Sequence, residues 1–477
     1  MNLSLALDLG TTSITAIAVD EAGRIVTQIT RENDAAVAGL AAGRAEQDPR
    51  CIFTLALEAL RELADNMTGS PLCLGLTGQM HGTLLVDSER NPLTNLITWQ
   101  DRRANEIVLG TETTHLECLL SRCSVLALDP TGCRLSPGYM GVTLSVLQSQ
   151  DELPAAAHRA SLLADWIGAE LCDEPIVTDR SNAASSGIYD LQSDCWSTEL
   201  LAACDLSGDL FPTVRESGVV IGRLTPEVAA ETGLPSGLPV CNAIGDNQAA
   251  VLGSVPSHEP AIQINIGTGG QISWPAPDFT RVADMDTRYL PHDRFMLVGA
   301  GLAGGDAFAW VNRTATSWLK SLGLDVPTEQ IYEAMTTQAA DLSAHNDDLT
   351  CNPLFRGTRR QPLARGEFSG VSLDNFTLGH VSRAVLQGIA AGMKWFYDNA
   401  GDQQPQSIQR IIGSGNGLRK NPLLVEIIER EFERPVLLPS HEEAAAYGTA
   451  LLAGSTVGMW ADLETAGKCI RLVSGGH

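Results

Sequence analysis

The sequence predicts a two-lobed α/β protein in which both lobes follow one strand plan. Three observations carry this. At 477 residues the chain is too long for one ordinary core, so two or three domains are expected. Strand-like and helix-like patterns recur in a similar order in both halves. Finally, "ALDLGTTS" (6–13) aligns with "QINIGTGG" (263–270), pairing Asp8 with Asn265, Gly10 with Gly267 and Thr11 with Thr268. Each copy is a buried-type strand that runs into Gly-Thr, a small-residue turn and a second strand. A single match of this kind is common, but two that open similar series of elements indicate a duplicated fold with facing hairpin loops.

The elements follow in order. Residues 3–9, 14–20 and 24–29 read as strands, the last two joined by the turn Glu21-Ala22-Gly23. Asp48-Pro49 supplies an N-cap and a first-turn proline. From there Ile52, Leu55, Ala59, Leu60 and Leu63 recur at helical spacing to about Asn66. Residues 72–77 and 83–87 return to strand. In the second half, 261–266, 271–274 and 295–298 read as strands, and 408–413 as a short strand ending at glycine. Helical patterns occupy about 303–321, 328–343, 379–399, 421–432 and 442–458. The turn-rich run Pro256-Ser257-His258-Glu259-Pro260 is the linker candidate, and the lobes are assigned as 1–244 and 245–477.

Charge and cysteine content exclude several function classes. A formal net charge of −25, from 32 basic and 57 acidic residues, argues against sequence-independent nucleic-acid binding, which needs Lys and Arg along a phosphate backbone. Small anionic ligands remain compatible, since backbone N–H groups or a divalent cation can hold them. The eleven cysteines form no CxxC pair, which suits free thiols in a reducing cytosol. His115, Cys118 and Cys123 lack a fourth ligand at zinc-like spacing. His441-Glu442-Glu443 opens like a zincin motif, but Ala445 stands where the second histidine is required. No apolar run reaches membrane-spanning length, and the start lacks a basic segment and reaches Asp8 too soon for a signal peptide, so a cytoplasmic location is expected.

Phosphate chemistry suits the two hairpins. Glycine lets backbone approach a ligand closely, and turn N–H groups and hydroxyls donate to oxygens, as in Gly10-Thr11-Thr12-Ser13 and Gly267-Thr268-Gly269-Gly270. Asp8, at the strand end, is placed to hold hydrated Mg²⁺ against phosphates. Either loop alone reads more simply as a self-satisfied turn; as a pair they read as jaws. "IIGSGNGLRKNPLLVEII" (411–428) is strand, glycine loop and helix without Walker A order, and Gly304-Gly305 opens another helix. On the other side, Gln79, Met80 and His81 sit between Gly78 and Gly82, and Trp99-Gln100-Asp101-Arg102 follows an apolar run. Paired donors and acceptors beside an aromatic plane suit a polyol, the plain alternative being a satisfied loop histidine and a tryptophan on a core edge. In "AIGDNQAAVLG" (243–253), Asp246 lies where a strand hands over to a helix and reads both as an N-cap and as a catalytic base.

Taken in order, Asp8-Leu9-Gly10-Thr11-Thr12-Ser13, Gly78-Gln79-Met80-His81-Gly82, Gly245-Asp246-Asn247 and Asn265-Ile266-Gly267-Thr268-Gly269 resemble the FGGY carbohydrate kinases. Gly413-Ser414-Gly415-Asn416 and Glu443 with Gly448-Thr449-Ala450 resemble that family's adenosine loop and C-terminal helix. The matches span residues 6 to 453. The resemblance implies two actin-like, ribonuclease-H-like lobes with ATP, Mg²⁺ and a sugar in the cleft between them. It implies Asp246 as general base, and Asp8 and Asp246 beside the metal. It implies Thr11, Thr12, Ser13, Gly267 and Thr268 at phosphates, and Gly305, Gly413, Gly415 and Asn416 around the nucleotide. Gln79, Met80, His81, Asp101, Asp246 and Asn247 would surround the sugar.

Gly-Gln-Met-His-Gly is similar to xylulokinase-like and sedoheptulokinase-like members. Trp99-Gln100-Asp101, the Asn-Ala-Ala-Ser segment of "DRSNAASSGIYD" (179–190) and Arg430 tilt toward the latter. Asn416-Gly417-Leu418 departs from the more common Ala-Lys/Arg-Ser, whereas Asp8 and Asp246 match. Rival readings are a sugar-sensing pseudokinase, which would lack one of these groups, and an actin-like ATPase, which would not need the sugar side. A homodimer is left open.

Overall fold

A computed structural model of the chain describes residues 1–256, 261–342, 349–355, 357, 364–405 and 408–475. The first sheet begins as the sequence reading expects. β1 (Asn2–Leu9), β2 (Ser13–Asp20) and β3 (Ile25–Glu32) form an antiparallel meander, β1 and β2 being buried along almost their whole length. α1 (Pro49–Asn66) starts where Asp48 accepts from the N–H groups of Arg50 and Cys51 ahead of a first-turn proline. It leads into β4 (Ser70–Gly78), which pairs parallel with β1 and sets Thr77 opposite Asp8. Completed by β5 (Val220–Arg223), β6 (Pro239–Cys241) and β7 (Ile244–Gly245), the sheet runs β5-β6-β4-β1-β2-β3, with β7 on β4.

The second half repeats this plan. β8 (Ile262–Ile266) pairs antiparallel with β9 (Gly269–Ala276), which pairs antiparallel with β11 (Arg294–Ala303). β12 (Ile411–Ser414) lies parallel to β8 and sets Ser414 opposite Asn265, as Thr77 lies opposite Asp8. The pairing register therefore makes Asp8 and Asn265 equivalent. With β10 (Asp286–Leu290), β13 (Val436–Pro439) and β14 (Leu472–Ser474), the order is β10-β11-β9-β8-β12-β13-β14. The sequence reading has no counterpart to β10, and β11 extends well beyond 295–298. β10 carries Asp286 and Arg288, and β11 ends in Gly299 to Ala303, so neither shows an uninterrupted apolar or alternating run. Thr287, Arg288 and Tyr289 are nonetheless buried. Of the linker candidate only Pro256 is described; 257–260 lie outside the described residues, as does 343 at the end of one expected helix.

Two helices run between the sheets. α2 (Asp246–Ser254) packs on α7 (Ala444–Thr456), which in turn covers β1, β2 and β4 of the first sheet. The crossing point is Gly253 against Gly448. A Cβ on Gly253 would lie 2.0 Å from the Ala444 carbonyl oxygen, and one on Gly448 2.0 Å from that of Ala249. Helix backbones in direct contact leave no room for a side chain, which gives the glycine of Gly448-Thr449-Ala450 its physical reason. α7 thus belongs to the core around Ala6, Ile17, Val19 and Ile244, despite its place late in the chain. In the second lobe α3 (Gly305–Ser321), α4 (Leu378–Asn399) and α6 (Pro422–Phe432) pack on the second sheet.

These three helices share the core of the second sheet, with Met393, Ile389 and Val425 against Ile264 and Ile272. α5 is the single turn Asn416–Arg419 that precedes α6 along the chain. Among the described residues no helix is long and apolar enough to cross a membrane.

Candidate active site

The strand-to-helix handover delivers Asp246. β7 pairs with the end of β4, Gly245 opposite Gly78, and so sets the start of α2 beside the end of β1. The expectation of an N-cap needs correction: Gly245 occupies the cap position, and Asp246 is the first helical residue with no side-chain cap. A Cβ at 245 would lie 2.5 Å from Met80 Cε, so glycine lets the two loops close on each other. Burial pushes the Asp246 carboxyl up to about 6, opposed by the backbone N–H of Asn247 and the charge of Arg288. Burial likewise lifts Asp8 to about 7, assisted by the negative charges of Asp246 and Glu443. Two buried carboxylates that share one field suit a hard divalent cation that keeps waters and takes phosphate oxygens as further ligands. Among the described residues no cluster of three or more acidic, histidine or cysteine groups forms a self-sufficient metal cage.

Asp246 opens onto a pocket of about 210 Å³ between the lobes. Thr11, Met80, His81 and Trp99 line it from the first lobe, and Asn247, Gln248, Gln271, Arg288, Val298 and Ala300 complete it. His81 adopts φ 73°, and its Nδ1 lies 2.8 Å from the Ser185 carbonyl, so that nitrogen carries the proton. Its ring stacks on Tyr139 at 4.2 Å. Trp99 Nε1 donates to the Thr11 hydroxyl at 3.0 Å, and that hydroxyl donates to Gln79 Oε1 at 3.2 Å. Asn247 Nδ2 donates to Gln271 Oε1 at 2.5 Å. Buried Asn247 Oδ1, both polar atoms of the Gln248 amide and Arg288 Nη1 have no protein partner. Native proteins rarely leave such groups unsatisfied, and several around one cavity mark a place for a polar ligand or water. A second cavity of about 590 Å³ adjoins the pocket, sharing Val298 and Ala300 in its lining.

The predicted sugar residues separate into two groups. Met80, His81, Asp246 and Asn247 come together around the pocket. Gln79 lies one layer behind, with its Nε2 donating to Gln47 Oε1 at 2.8 Å, so it braces Thr11 and does not line the cavity. Asp101 is the correction. It is fully buried and occupied by the Ala45 N–H, the Arg103 N–H and the Arg103 guanidinium, which hold its carboxyl below the usual range despite burial. It anchors the Trp99 loop to the 43–45 turn and presents nothing to the cavity. Gln248, Gln271, Arg288 and Tyr139 lie outside the predicted set. Gln271 directly follows the second glycine loop, a signal that was available; Arg288 sits on a strand with no motif.

Of the residues expected to meet the nucleotide, Gly267 and Thr268 form the exposed tip between β8 and β9, while Thr12 is the exposed tip between β1 and β2. Ser13 opens β2. Gly305 starts α3 and donates its N–H to the Gly267 carbonyl at 2.9 Å, and Asp306 donates to the Thr268 carbonyl at 3.0 Å. This fixes the second loop on a helix start. Gly415 has φ 85°, and a Cβ there would lie 2.4 Å from the Ile266 carbonyl oxygen; exposed Asn416 follows it. Gly413 differs from the expectation. It is buried inside β12, where a Cβ would meet Leu438 and Leu418, so it serves core packing.

Residues 3–253 match the N-terminal domain of the FGGY family of carbohydrate kinases, and residues 274–457 match its C-terminal domain. The chain belongs to this family. As an FGGY carbohydrate kinase it uses ATP to phosphorylate a small sugar-type substrate. It is 28% identical to the sedoheptulokinase of Mus musculus over 94% of this chain and 97% of that one. It is 29% identical to the glycerol kinase of Bordetella pertussis over 97% and 90%. Its fold matches the crystal structure of xylulose kinase from Rhodospirillum rubrum with a TM-score of 0.86 and 24% identity, over 99% of this chain and 93% of that one. Both lobes of the two-sheet α/β plan are thus those of FGGY kinases.

Proposed function

We propose that this kinase transfers the γ-phosphoryl group of ATP to a primary hydroxyl of a ketose, with Asp246 as general base. One observation carries the reading. Asp246 lines the pocket with a carboxyl held near 6, ionised at neutral pH yet basic enough to accept a proton. The acceptor O–H gives its proton to Asp246 while its oxygen bonds to phosphorus and the bond from phosphorus to the ADP oxygen breaks. Thr11, Thr12, Ser13, Gly267 and Thr268 would hold the phosphates through N–H groups and hydroxyls. Gly305, Gly415 and Asn416 would take the rest of the nucleotide. Asp8 and Asp246 would hold Mg²⁺, which when bound neutralises charge on the phosphates. Met80, His81 and Asn247 would contact the sugar.

A sedoheptulose-like acceptor is favoured over glycerol or a pentulose because a second cavity adjoins the pocket at Val298 and Ala300, on the side where a longer chain would extend. The lobes 1–244 and 245–477 and a cytoplasmic location belong to the same reading. The test is ADP release measured over sedoheptulose, D-xylulose, ribulose and glycerol. A strong preference for a pentulose overturns the sedoheptulose assignment, and ATP turnover independent of any sugar overturns the ketose kinase reading.

A further inference from the structure

Arg288 is only 6% exposed, and the protein satisfies just one of its terminal nitrogens. Nη2 donates to Asp286 Oδ2 at 2.8 Å and to the Tyr139 hydroxyl at 3.2 Å. Nη1 is buried without a partner, and the side chain lines the Asp246 pocket. A guanidinium carries its donors in a rigid fork, so once Nη2 is held the direction of Nη1 is set. Leaving a charged donor dry and unpaired is costly, and an oxygen of the bound acceptor removes that cost. We propose that Arg288 is a specificity-determining residue that recognises an uncharged oxygen of the acceptor through Nη1. This rests on the kinase reading above and deepens it.

The charge balance decides which oxygen fits. Asp286 already matches Arg288, and Asp246 leaves the pocket one negative charge in excess. A carboxylate beside Asp246 would add a like charge in a buried space, whereas a hydroxyl or carbonyl oxygen adds none. Neutral sugars are therefore accepted and aldonates of the same length rejected. Tyr139 has a positioning role. It belongs to the first lobe, carries the stacked His81 ring and receives Arg288 from the second lobe, so acceptor recognition is tied to the seating of one lobe on the other.

The test uses the intact chain, its best ketose, the single-deoxy analogues of that ketose and an aldonate of equal length. With wild type, one deoxy analogue should lose about 100-fold in kcat/KM, since a buried donor is left unpaired. Arg288→Met should lower kcat/KM for the parent sugar about as much, mainly through KM, and should lower that analogue no further. Arg288→Lys should recover part of the loss, and Tyr139→Phe should give a smaller change in the same direction. Equal deoxy penalties in wild type and Arg288→Met overturn the proposal. So does a wild type with no sensitive position, which needs no folded variant, or aldonate turnover matching that of the ketose. If no acceptor releases ADP with wild type, the kinase reading itself fails.

Discussion

Replacing Asp246 by asparagine changes one oxygen to an amide nitrogen and leaves shape almost untouched. The oxygen facing the Asn247 N–H can keep that contact, so sugar affinity should stay near normal. What disappears is the proton acceptor. A positioned general base contributes on the order of 10²–10⁴ in rate, about 3–5.5 kcal/mol of transition-state stabilisation. Turnover should fall by that factor while the sugar dissociation constant moves less than about threefold. The pH profile supplies the sign. In wild type the base works when ionised, so activity should fall as pH drops through about 6, near the Asp246 value. The Asp246 charge also lifts Asp8, so its removal should move the remaining acid limb to lower pH. A carboxyl whose folded value is raised loses stability as pH rises from its ordinary value through the raised one. Asp246→Asn should accordingly melt at a higher temperature than wild type at neutral pH. Coupled ADP release, sugar titration and thermal melting read these outcomes. Near-normal turnover refutes the base assignment, and an acid limb left in place refutes the electrostatic reasoning.

Three further perturbations separate the parts of the site. Gly448→Ala would bring a Cβ to 2.0 Å from the Ala249 carbonyl oxygen, so the interlobe helices must part; a loss of about 1–3 kcal/mol in denaturant unfolding is expected, with lower turnover. Asp101→Asn should cost about 3–5 kcal/mol by leaving the buried Arg103 guanidinium partly uncompensated, with the thermal melt shifting far more than the ratio of KM values among sugars. Because the Asp101 carboxyl is held low, its stabilisation is present above the ordinary carboxylate range and is lost as pH falls through the lowered value. Gly415→Ala meets both a φ of 85° and the Ile266 carbonyl, so KM for ATP should rise while sugar binding is unchanged; the reverse pattern would remove Gly415 from the nucleotide side.

Strand-helix order, the duplicated hairpins and the family were legible in the sequence, because each rests on local periodicity or short glycine motifs. Asp48-Pro49 marked the start of α1 correctly, since a cap and a first-turn proline act through neighbouring backbone. The equivalence of Asp8 and Asn265 was legible too, and the strand registers repeat it. Asp101 and Gly413 misled for one reason. Motif position does not tell which way a residue faces, and the buried Arg103 guanidinium and the core of β12 claimed them. Arg288 was invisible because Tyr139 and Asp246, which give its position a meaning, both lie more than forty residues before it in the chain. Sequence alone therefore determined the fold plan, the paired glycine hairpins and Asp246 as the candidate base. Only the tertiary structure decided which polar groups are spent on holding the loops and which remain buried and unpaired for a ligand, because that division depends on contacts between segments distant in the chain.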